Sequence, residues 1–500
     1  MRDHLLLYLN GQPLRVEGEE AFLTLAEFLR RRRHLTGAKV VCAEGDCGAC
    51  AVLVGRVAGA KINYAAVNSC IQMLFQLDAA HVITVEGLRD SADLNPIQKS
   101  MVKCHGTQCG FCTPGFIVSL HDLMNRNRAL DASAVRRALV GNLCRCTGYD
   151  SIIRAALETD IAALKSPDEL YPPQLMQSAL VAAATEEVRV QAGAKYFYKP
   201  LTVDQAVRFR AQNPDCLILA GATDLGVQCN KGSRRLGMVM SIGGIDELRS
   251  MHADSDVLEV GAAATLFELE NAAEKHLPEL AEFLQWFGSP LIRNSATLAG
   301  NLVNGSPIGD AICALFVLET QIELTSPRGV RRVELRQFYT GYRKTVLAPD
   351  EMLTAVRIRL PRPGEIYRLY KISKRKDLDI SSLAAAIWMR RDGKMIGDIR
   401  IAYAGVAPVV MRLEKTESLL RGRALSLENF HIAAASGAEE VSPISDVRGS
   451  ADYRRLLSAN VLLRFWHEMD ESPEGADEPA DVPGGSTRLA PVLRNPEGAQ

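Results

Sequence analysis

The chain has 500 residues, of which 47% are hydrophobic and 23% charged, and its formal net charge is −1. This length exceeds one typical domain, so we expect about three or four domains. The near-neutral charge provides no positive field for a phosphate backbone, which argues against nucleic acid as a partner.

The N-terminal apolar run is too short for a signal peptide, and no apolar stretch approaches the roughly 18 to 20 residues of a membrane helix. We therefore expect a cytoplasmic protein without a membrane segment. The run ends at Asn10-Gly11, a dipeptide typical of a hairpin turn between two strands.

Residues 1–88 predict a small β-rich α+β domain, in which a helix begins at Thr24 and further strands follow a cysteine loop. Residues 89–165 carry apolar residues at helical spacing between polar or glycine breaks, which predicts a compact helical domain. Residues 166–194 contain a proline pair and no sustained strand pattern, so we interpret them as a linker.

The rest of the chain predicts two further domains and a tail. Short strands and helices alternate around glycine-rich turns in residues 195–363, and a smaller strand-and-helix region occupies residues 364–470. Residues 471–500 are rich in proline, glycine and acids, which predicts a disordered tail.

Twelve cysteines without an export signal are more typical of ligands or catalytic groups than of disulfides. The first cysteine group has the spacing C-x4-C-x2-C and then a distant cysteine, which is the plant-type ferredoxin pattern for one [2Fe–2S] cluster. Its members are Cys42, Cys47, Cys50 and Cys70. Gly45 and Gly48 let the loop wrap the cluster and direct amide N–H groups at its sulfurs. Zinc is the alternative, but zinc sites usually pair two short C-x2-4-C knuckles.

The second cysteine group combines a C-x2-C motif with a C-x-C motif, and we expect each motif to hold one iron of a second cluster. Its members are Cys109, Cys112, Cys144 and Cys146. The remaining four cysteines are interpreted as small buried apolar residues. They are Cys104, Cys216, Cys229 and Cys313.

The strings HGTQCGFCTPGF and GNLCRCTGYDSI around the second group resemble the [2Fe–2S] half of the molybdenum hydroxylases. The resemblance implies a β-grasp ferredoxin-like domain followed by a helical-bundle [2Fe–2S] domain. It also implies that Gln108 lies near a molybdopterin cofactor docked from another subunit, with a helix-capping role as the alternative.

Two later segments point to a flavin. DCLILAGATDLGV predicts a strand entering a turn at Gly221, whose backbone N–H groups can bind a pyrophosphate. WFGSPLIRNSATLAGNLVNGSPIGD places small residues and hydrogen-bonding side chains on one turn-rich stretch. Either could be an ordinary glycine-rich loop, but together they resemble the α+β FAD-binding domain of the vanillyl-alcohol-oxidase and carbon monoxide dehydrogenase flavoprotein type.

This resemblance also implies the FAD contacts. The pyrophosphate would lie against Ala220, Gly221, Ala222, Thr223, Asp224 and Leu225. Phe287 would lie against the flavin ring and Lys371 near its edge. The remaining contacts would come from Thr297, Gly300, Asn301, Asn304 and Asp310. Leu353 is a further candidate, although an apolar strand residue is more often part of the core.

The segments KISKRKDLDISSLAAAIW, IRIAYAGVAPVVMR and PISDVRGSADYRR resemble the small α+β C-terminal domain that follows the FAD domain in this family. The D-x-D-I spacing at Asp377 and Asp379 is typical of its xanthine dehydrogenase branch. A role for Asp377 or Lys374 in NAD⁺ binding is a hypothesis, because charged turn residues are usually only solvated.

The resemblance covers about residues 4–465 and implies an electron-transfer chain with no substrate-converting residues of its own. Two [2Fe–2S] clusters would pass electrons singly to FAD, which reduces NAD⁺. A large molybdopterin-binding subunit would convert hypoxanthine and xanthine to urate, in an α2β2 heterotetramer. Fusion of both clusters and FAD in one chain favours the xanthine dehydrogenase branch.

Three alternatives stay open. The chain could serve another molybdenum hydroxylase, acting on an aldehyde, nicotinate or an aromatic thioester. It could be a non-enzymatic iron–sulfur redox protein, which would bind no flavin. Oxygen or ferredoxin could replace NAD⁺ as the acceptor.

Overall fold

The computed structural model describes residues 1–59, 61–90, 93–127 and 129–470. It confirms a multidomain α+β protein, while the predicted tail, 471–500, lies outside the described residues. Among the described residues, every helix is either too short or too polar to cross a lipid bilayer.

The N-terminal sheet is five-stranded, with the order β2-β1-β5-β3-β4. Its strands are β1 Leu5–Leu9, β2 Gln12–Val16, β3 Ala51–Ala58, β4 Lys61–Asn68 and β5 Ala80–Ile83. The predicted hairpin is confirmed, because Leu9 pairs with Gln12 and both turn residues, Asn10 and Gly11, have positive φ. The predicted helix start is also confirmed. Thr24 caps α1, Leu25–Arg31, because its hydroxyl accepts a hydrogen bond from the Glu27 amide.

Four helices follow the N-terminal sheet and pack against it. They are α2 Pro96–Lys103, α3 Thr113–Arg126, α4 Ala132–Ala138 and α5 Asp150–Leu157. Phe116 and Ile152 of these helices share one buried core with Leu53 and Ile83 of the sheet. The second cysteine group lies at the ends of this helical layer, with Cys112 immediately before α3.

The segment that we expected to be a linker has regular structure. It contains α6 Pro167–Leu170, α7 Gln177–Ala184 and β6 Val188–Ala192. Strand β6 alternates buried and exposed residues, Val188 and Val190 facing inward, and pairs with β7, Lys195–Lys199. The expectation of no sustained strand pattern was wrong, because an alternation of only five residues is too short to stand out.

The second sheet is four-stranded, with the order β6-β7-β9-β8, and strands β7, β9 and β8 run parallel. Its remaining elements are α8 Val203–Gln212, β8 Leu217–Leu219, α9 Thr223–Asn230 and β9 Met238–Ser241. Phe197 of β7 stacks on Phe75 beside the N-terminal sheet, with ring centroids 4.7 Å apart. The two sheets therefore share an apolar interface.

The third sheet is antiparallel and five-stranded, with the order β10-β11-β16-β12-β13. In chain order, the first elements of this region are α10 Asp246–Arg249, β10 Met251–Ala253, β11 Val257–Gly261, α11 Leu266–His276, α12 Pro278–Leu284, α13 Pro290–Arg293, α14 Leu298–Asn304, α15 Asp310–Leu315 and β12 Gln321–Ser326. Those that follow are β13 Gly329–Glu334, α16 Leu335–Phe338, β14 Tyr339–Gly341, β15 Lys344–Thr345 and β16 Met352–Arg359. The segment between β11 and β12 carries six of the fourteen predicted FAD residues, four of them in α14 and α15.

The fourth sheet is an antiparallel meander with the order β17-β18-β19-β20. Its strands are β17 Glu365–Ile372, β18 Leu383–Asp392, β19 Met395–Ala404 and β20 Met411–Arg412, and the helices after them are α17 Glu414–Leu420, α18 Leu427–Glu440 and α19 Ala451–Asp470. Phe430 and Phe465 of these helices are buried against Ile387 and Ile401 of the sheet.

A buried ionic network ties the N-terminal sheet to the second sheet. The Asp78 carboxylate accepts hydrogen bonds from both Arg2 Nη atoms, at 2.8 and 2.9 Å, and from Lys199 Nζ at 2.6 Å. Both cations also donate to the carbonyl of Ala183, at 2.6 and 3.0 Å. Three distant chain segments therefore meet at one carboxylate.

Candidate functional site

The structure brings the four thiols of the first cysteine group together. Cys42 contacts Cys47 and Cys70, and Cys70 also contacts Cys50. Gly45 and Gly48 have positive φ in the loop between these cysteines, as a tight wrapping loop requires. The arrangement agrees with the expected loop around one cluster.

Contacts within this group lower the pKa of two of the thiols and raise the pKa of the other two. Contact with Cys47 and Cys70 lowers the pKa of the Cys42 thiol, and contact with Cys70 lowers that of Cys50. The same contacts, with Cys42 first, raise the pKa values of Cys47 and Cys70. Metals bind the thiolate form, so a [2Fe–2S] cluster would take all four of these cysteines deprotonated.

The second cysteine group forms pairs across its two motifs. Cys146 Sγ lies 3.6 Å from Cys109 Sγ, and Cys112 contacts Cys144. Each close pair therefore takes one cysteine from each motif. The expectation that each motif holds one iron stays a prediction.

Cluster binding by these residues stays a prediction. Among the described residues, no three or more His, Cys, Asp or Glu side chains already surround a single metal-ion position. The pairwise contacts fit a [2Fe–2S] cluster in one respect, since such a cluster takes two thiolates on each iron.

The two cysteine groups touch through the backbone. The Leu143 amide, next to Cys144, donates to the Cys47 carbonyl at 3.0 Å. A Cβ on Gly115 would lie 2.1 Å from the Gly48 carbonyl oxygen, so α3 packs directly on the first cysteine loop. One hydrogen bond therefore connects Cys47, a predicted ligand of the first cluster, to the residue before Cys144, a predicted ligand of the second.

Gly115→Ala tests this packing. Alanine normally stabilises a helix relative to glycine by about 1 kcal/mol, but here the added methyl overlaps a carbonyl, so we expect destabilisation by about 1–3 kcal/mol. The measurement is chemical denaturation followed by helix ellipticity and by the visible absorbance of the clusters.

The matched control is Gly437→Ala in α18, where the nearest atom to an added Cβ is the mobile end of Leu462 at 3.2 Å. This control is expected to be neutral or stabilising. Equal effects at the two glycines would contradict the proposed close packing at Gly115.

The two predicted flavin segments also meet. The first forms β8, a turn and α9, with Ala222 in the left-handed conformation before the helix. A Cβ on Gly221 would lie 1.8 Å from the Ser295 carbonyl oxygen, so only glycine fits there. Thr297 caps α14 by accepting the Gly300 amide at 3.0 Å. The turn before α9 therefore lies against the turn before α14, as a shared cofactor site requires.

A buried polar cluster lies at the other end of this region. Lys371 Nζ donates to Asp310 Oδ2 at 2.7 Å and to the Trp286 carbonyl at 2.9 Å, and Ser381 Oγ donates to Asp310 Oδ1 at 2.6 Å. The half-buried Phe287 follows Trp286 in the chain. Asp310, Lys371 and Phe287 are thus brought into one neighbourhood.

The polar atoms of this neighbourhood fit a cofactor. Within the described part of the chain, Asn301 Oδ1 and Trp286 Nε1 are buried without hydrogen-bond partners. Buried polar atoms are nearly always paired, so these two indicate a missing polar partner such as FAD. Leu353 instead pairs with Leu324 and is buried in the apolar core, in agreement with the core interpretation.

A cavity of about 590 Å³ opens between the N-terminal sheet and the flavin segments. Of the predicted FAD residues, it is lined by Ala220, Gly221 and Thr297 only. The predicted ring contacts Phe287 and Lys371 do not line it. The cavity therefore lies at the predicted phosphate end of the site.

The first cysteine loop is attached to α9. Asn230 Nδ2, at the end of this helix, donates to the carbonyls of Ala43 and Cys70, both at 2.8 Å. Lys231 forms an ion pair with Glu44 of the same loop. Asn230 was not predicted, because an exposed asparagine at a helix end carries no sequence signal of a partner that is distant in the chain.

Asn230→Leu should loosen the first cysteine loop, since it removes both hydrogen bonds. Groups that orient metal ligands typically contribute about 10- to 100-fold to metal affinity or activity. We expect a rise of about tenfold in the rate at which a chelator removes the first cluster, measured from its electron paramagnetic resonance signal.

Lys231→Gln provides the control, because it removes only the exposed ion pair and should change that rate little. If Asn230→Leu kept the original rate of cluster loss, the proposed role of Asn230 in holding the first cysteine loop would be wrong.

The other predicted residues lie as follows. Cys104, Cys216 and Cys313 are buried, as expected, and Cys229 is half-buried. Gln108 is exposed. The residue at the N-terminal cap of α3 is Cys112, so Gln108 does not cap this helix. Lys374 Nζ donates to the Val447 carbonyl at 2.8 Å. Burial raises the pKa of the half-buried Asp377.

Three family descriptions match successive parts of the chain. They are the [2Fe-2S] binding domain over residues 84–157, the FAD binding domain in molybdopterin dehydrogenase over residues 186–363, and the CO dehydrogenase flavoprotein C-terminal domain over residues 368–469. The chain belongs to the molybdenum hydroxylase family. It carries the iron–sulfur and FAD-binding domains of that family, in agreement with the resemblance found in the sequence.

Curated relatives of this molybdenum hydroxylase chain include two xanthine dehydrogenases. That of Emericella nidulans is 30% identical over 93% of the chain, and xanthine dehydrogenase 1 of Arabidopsis thaliana is 29% identical over 98%. The chain spans 39% and 41% of their respective lengths.

Similar solved structures include two carbon monoxide dehydrogenases. The one from Hydrogenophaga pseudoflava, which lacks the Mo-pyranopterin moiety, has a TM-score of 0.52 and 27% identity, covering 54% of this chain and 94% of its own. The reconstituted enzyme of Oligotropha carboxidovorans has a TM-score of 0.51 and 27% identity, with the same coverage.

Proposed function

We propose that this chain is the electron-transfer part of a xanthine dehydrogenase. It would receive electrons from a partner molybdenum subunit that converts hypoxanthine and xanthine to urate, and it would pass them through two [2Fe–2S] clusters and FAD to NAD⁺. The observation that carries the proposal is the hydrogen bond from the Leu143 amide to the Cys47 carbonyl, which joins the two cysteine groups.

The order of contacts supports the proposed path of the electrons. The second cysteine group touches the first through Leu143 and Cys47. The first group touches α9 through Cys70 and Asn230. Helix α9 starts at the turn predicted to hold the FAD pyrophosphate. When bound, the clusters carry single electrons and the flavin collects two for transfer as a hydride. The chain positions these groups so that no diffusing carrier is needed.

The predicted FAD residues have separate tasks in this proposal. The turn at Gly221 would present backbone N–H groups to the pyrophosphate, and Asn301 would pair its buried amide oxygen with a donor of the cofactor. The Lys371 ammonium, held by Asp310 at 2.7 Å, would place a positive charge near the flavin edge. Such a charge favours the anionic reduced flavin.

Exposed residues around the second cysteine group support a molybdenum partner at this face. Cys109 and Cys146 are exposed, and Val41, Phe111 and Leu143 are 61%, 48% and 42% exposed. Large apolar side chains that gather at a surface are typical of protein interfaces. A partner seated there would shield the second cluster and shorten the path for electrons. We propose an α2β2 assembly with this contact.

The second candidate is the equivalent part of another molybdenum hydroxylase. The likeness to carbon monoxide dehydrogenase structures, at TM-scores of 0.51 and 0.52, favours it as much as xanthine dehydrogenase on fold alone. The curated relatives at 29% and 30% identity favour xanthine dehydrogenase.

The deciding experiment is purification of the chain with whatever copurifies, followed by iron and FAD analysis and by substrate assays. Two [2Fe–2S] clusters imply about four irons per chain. Xanthine-dependent NAD⁺ reduction only in the presence of a molybdenum subunit would support the proposal. The same cofactors with activity toward carbon monoxide, an aldehyde or nicotinate would support the second candidate, and absence of flavin would overturn both.

A further inference from the structure

Two buried cations hold the loop of residues 285–288, which lies between α12 and α13. Arg293 Nη1 donates to three carbonyls of this loop. They belong to Gln285, Phe287 and Gly288, at 3.3, 3.5 and 2.9 Å. Lys371 Nζ donates to the remaining carbonyl, that of Trp286, at 2.9 Å. All four consecutive carbonyls are therefore bound by side-chain donors, which fixes the backbone of the loop. We call residues 285–288 the ring loop.

Each of the two cations also has a buried carboxylate as its partner. Arg293 Nε donates to Glu270 Oε2 of α11 at 2.9 Å, and Lys371 pairs with Asp310. The four side chains are at most 11% exposed. Burial lowers the pKa of Arg293 and raises that of Glu270, although their charges attract one another. Such a buried pair adds little net stability, whereas its geometry fixes the groups that it binds.

The helix that ends at Arg293, α13, lies against both cysteine groups. A Cβ on Gly45, within the first cysteine loop, would lie 2.8 Å from Ile292 Cδ1. A Cβ on Gly141, just before the C-x-C motif of the second group, would lie 2.5 Å from the Cβ of Ser289. Ser289 is the N-terminal cap of α13. This one helix therefore connects both cysteine groups to the ring loop.

The ring loop also presents groups that suit a bound aromatic ring. Within the described part of the chain, Trp286 Nε1 is buried without a hydrogen-bond partner. Phe287, the predicted contact of the flavin ring, is half-buried. A backbone held by four hydrogen bonds, with an unpaired polar atom on one of its side chains, is prepared to orient a ligand and not only to close a turn.

We propose that Arg293 is a positioning residue that fixes the distance between the flavin ring and the first cluster, because it holds the ring loop on α13. The inference rests on the proposed function, since it takes Phe287 as a contact of the flavin ring. Rates of reaction between fixed groups depend steeply on their separation, and a misplacement of about 1 Å can lower a rate about 100-fold. Arg293 is not itself a predicted contact of a cofactor, so it acts through the ring loop.

The test uses the full chain with its clusters and FAD, and it requires neither a substrate nor a partner subunit. Arg293→Met keeps much of the side-chain volume but donates no hydrogen bond. We expect electron transfer from the first cluster to the flavin, followed by pulse radiolysis, to become about 10- to 100-fold slower. The visible circular dichroism of the flavin should change, while iron content and both cluster signals stay the same.

Arg412→Met is the matched control. Arg412 pairs with Glu417 in the C-terminal domain, and these side chains are 14% and 1% exposed, so the variant also breaks a buried Arg–Glu pair. It should lower the melting temperature without changing the transfer rate or the flavin signal. If Arg293→Met fails to fold or to bind FAD, Arg293→Lys gives the same comparison, because lysine keeps the charge beside Glu270 but lacks the planar fork of donors.

Slower transfer with an altered flavin signal in the Arg293 variant, and neither change in Arg412→Met, would support the inference. Equal losses in the two variants would indicate a structural role only and would overturn it. A transfer rate and flavin signal that match those of the unchanged chain would overturn it as well, while the proposed function would stand. Absence of flavin from the unchanged chain would contradict the proposed function, and the inference would fall with it.

Discussion

Cys144→Ala is expected to abolish the second [2Fe–2S] cluster and to leave FAD bound. Cys144 contacts Cys112 in the second cysteine group, and alanine offers no thiolate to replace it. The predicted FAD residues lie on other parts of the chain, from the turn after β8 to β17. Iron content should fall by about half, from about four irons to two per chain, and one of two electron paramagnetic resonance signals should disappear while flavin absorbance persists.

The control is Cys216→Ala, because Cys216 is buried outside both cysteine groups. It should keep both signals. Two distinct cluster signals in Cys144→Ala would show that Cys144 is not a ligand, and loss of FAD in the same variant would show that the flavin site depends on the helical layer.

Asp78→Ala is expected to destabilise the protein by about 3–5 kcal/mol. Removing the carboxylate leaves Arg2 and Lys199 as buried cations without their partner, since their side chains are 10% and 8% exposed. The measurement is the free energy of unfolding from urea denaturation, followed by ellipticity and by flavin fluorescence. Both probes should shift, because the network joins the N-terminal sheet to the second sheet.

Asp204→Ala is the matched control, because Asp204 is 65% exposed and pairs with Arg208 on the surface. Such pairs contribute about 0.2–1 kcal/mol. A loss of similar size in both variants would mean that the buried network contributes no more than a surface pair.

The same network predicts an acid dependence. Burial would raise the pKa of Asp78, but hydrogen bonds from Arg2 and the charge of Lys199 outweigh it and lower that pKa. The stabilisation is therefore complete above the unfolded pKa of about 3.9 and is lost as pH falls through the lower folded value. The difference in unfolding free energy between Asp78→Ala and the wild-type protein should therefore become smaller as the pH decreases below about 4.

Several features could be predicted because they depend on neighbours in the chain. The turn at Asn10-Gly11, the helix start at Thr24 and the convergence of Cys42, Cys47 and Cys50 need only a few consecutive residues. Strand β6 could have been found from its alternation, but its five residues were outweighed by the prolines before it.

The pairing of thiols in the second cysteine group could not be predicted from spacing. Cys109 and Cys146 are separated by 37 positions, and which sulfur meets which depends on how the C-x-C loop packs beside α3. Tertiary packing brought the distant residue closer.

Cysteine spacing predicted two iron–sulfur clusters, and the family resemblance of two glycine-rich segments implied a flavin, because both depend on short, local patterns. Only the folded chain showed how the predicted sites are joined, through Leu143 on Cys47 and Asn230 on Cys70. These contacts link segments from different parts of the chain, and long-range packing has no signature in the sequence near either partner.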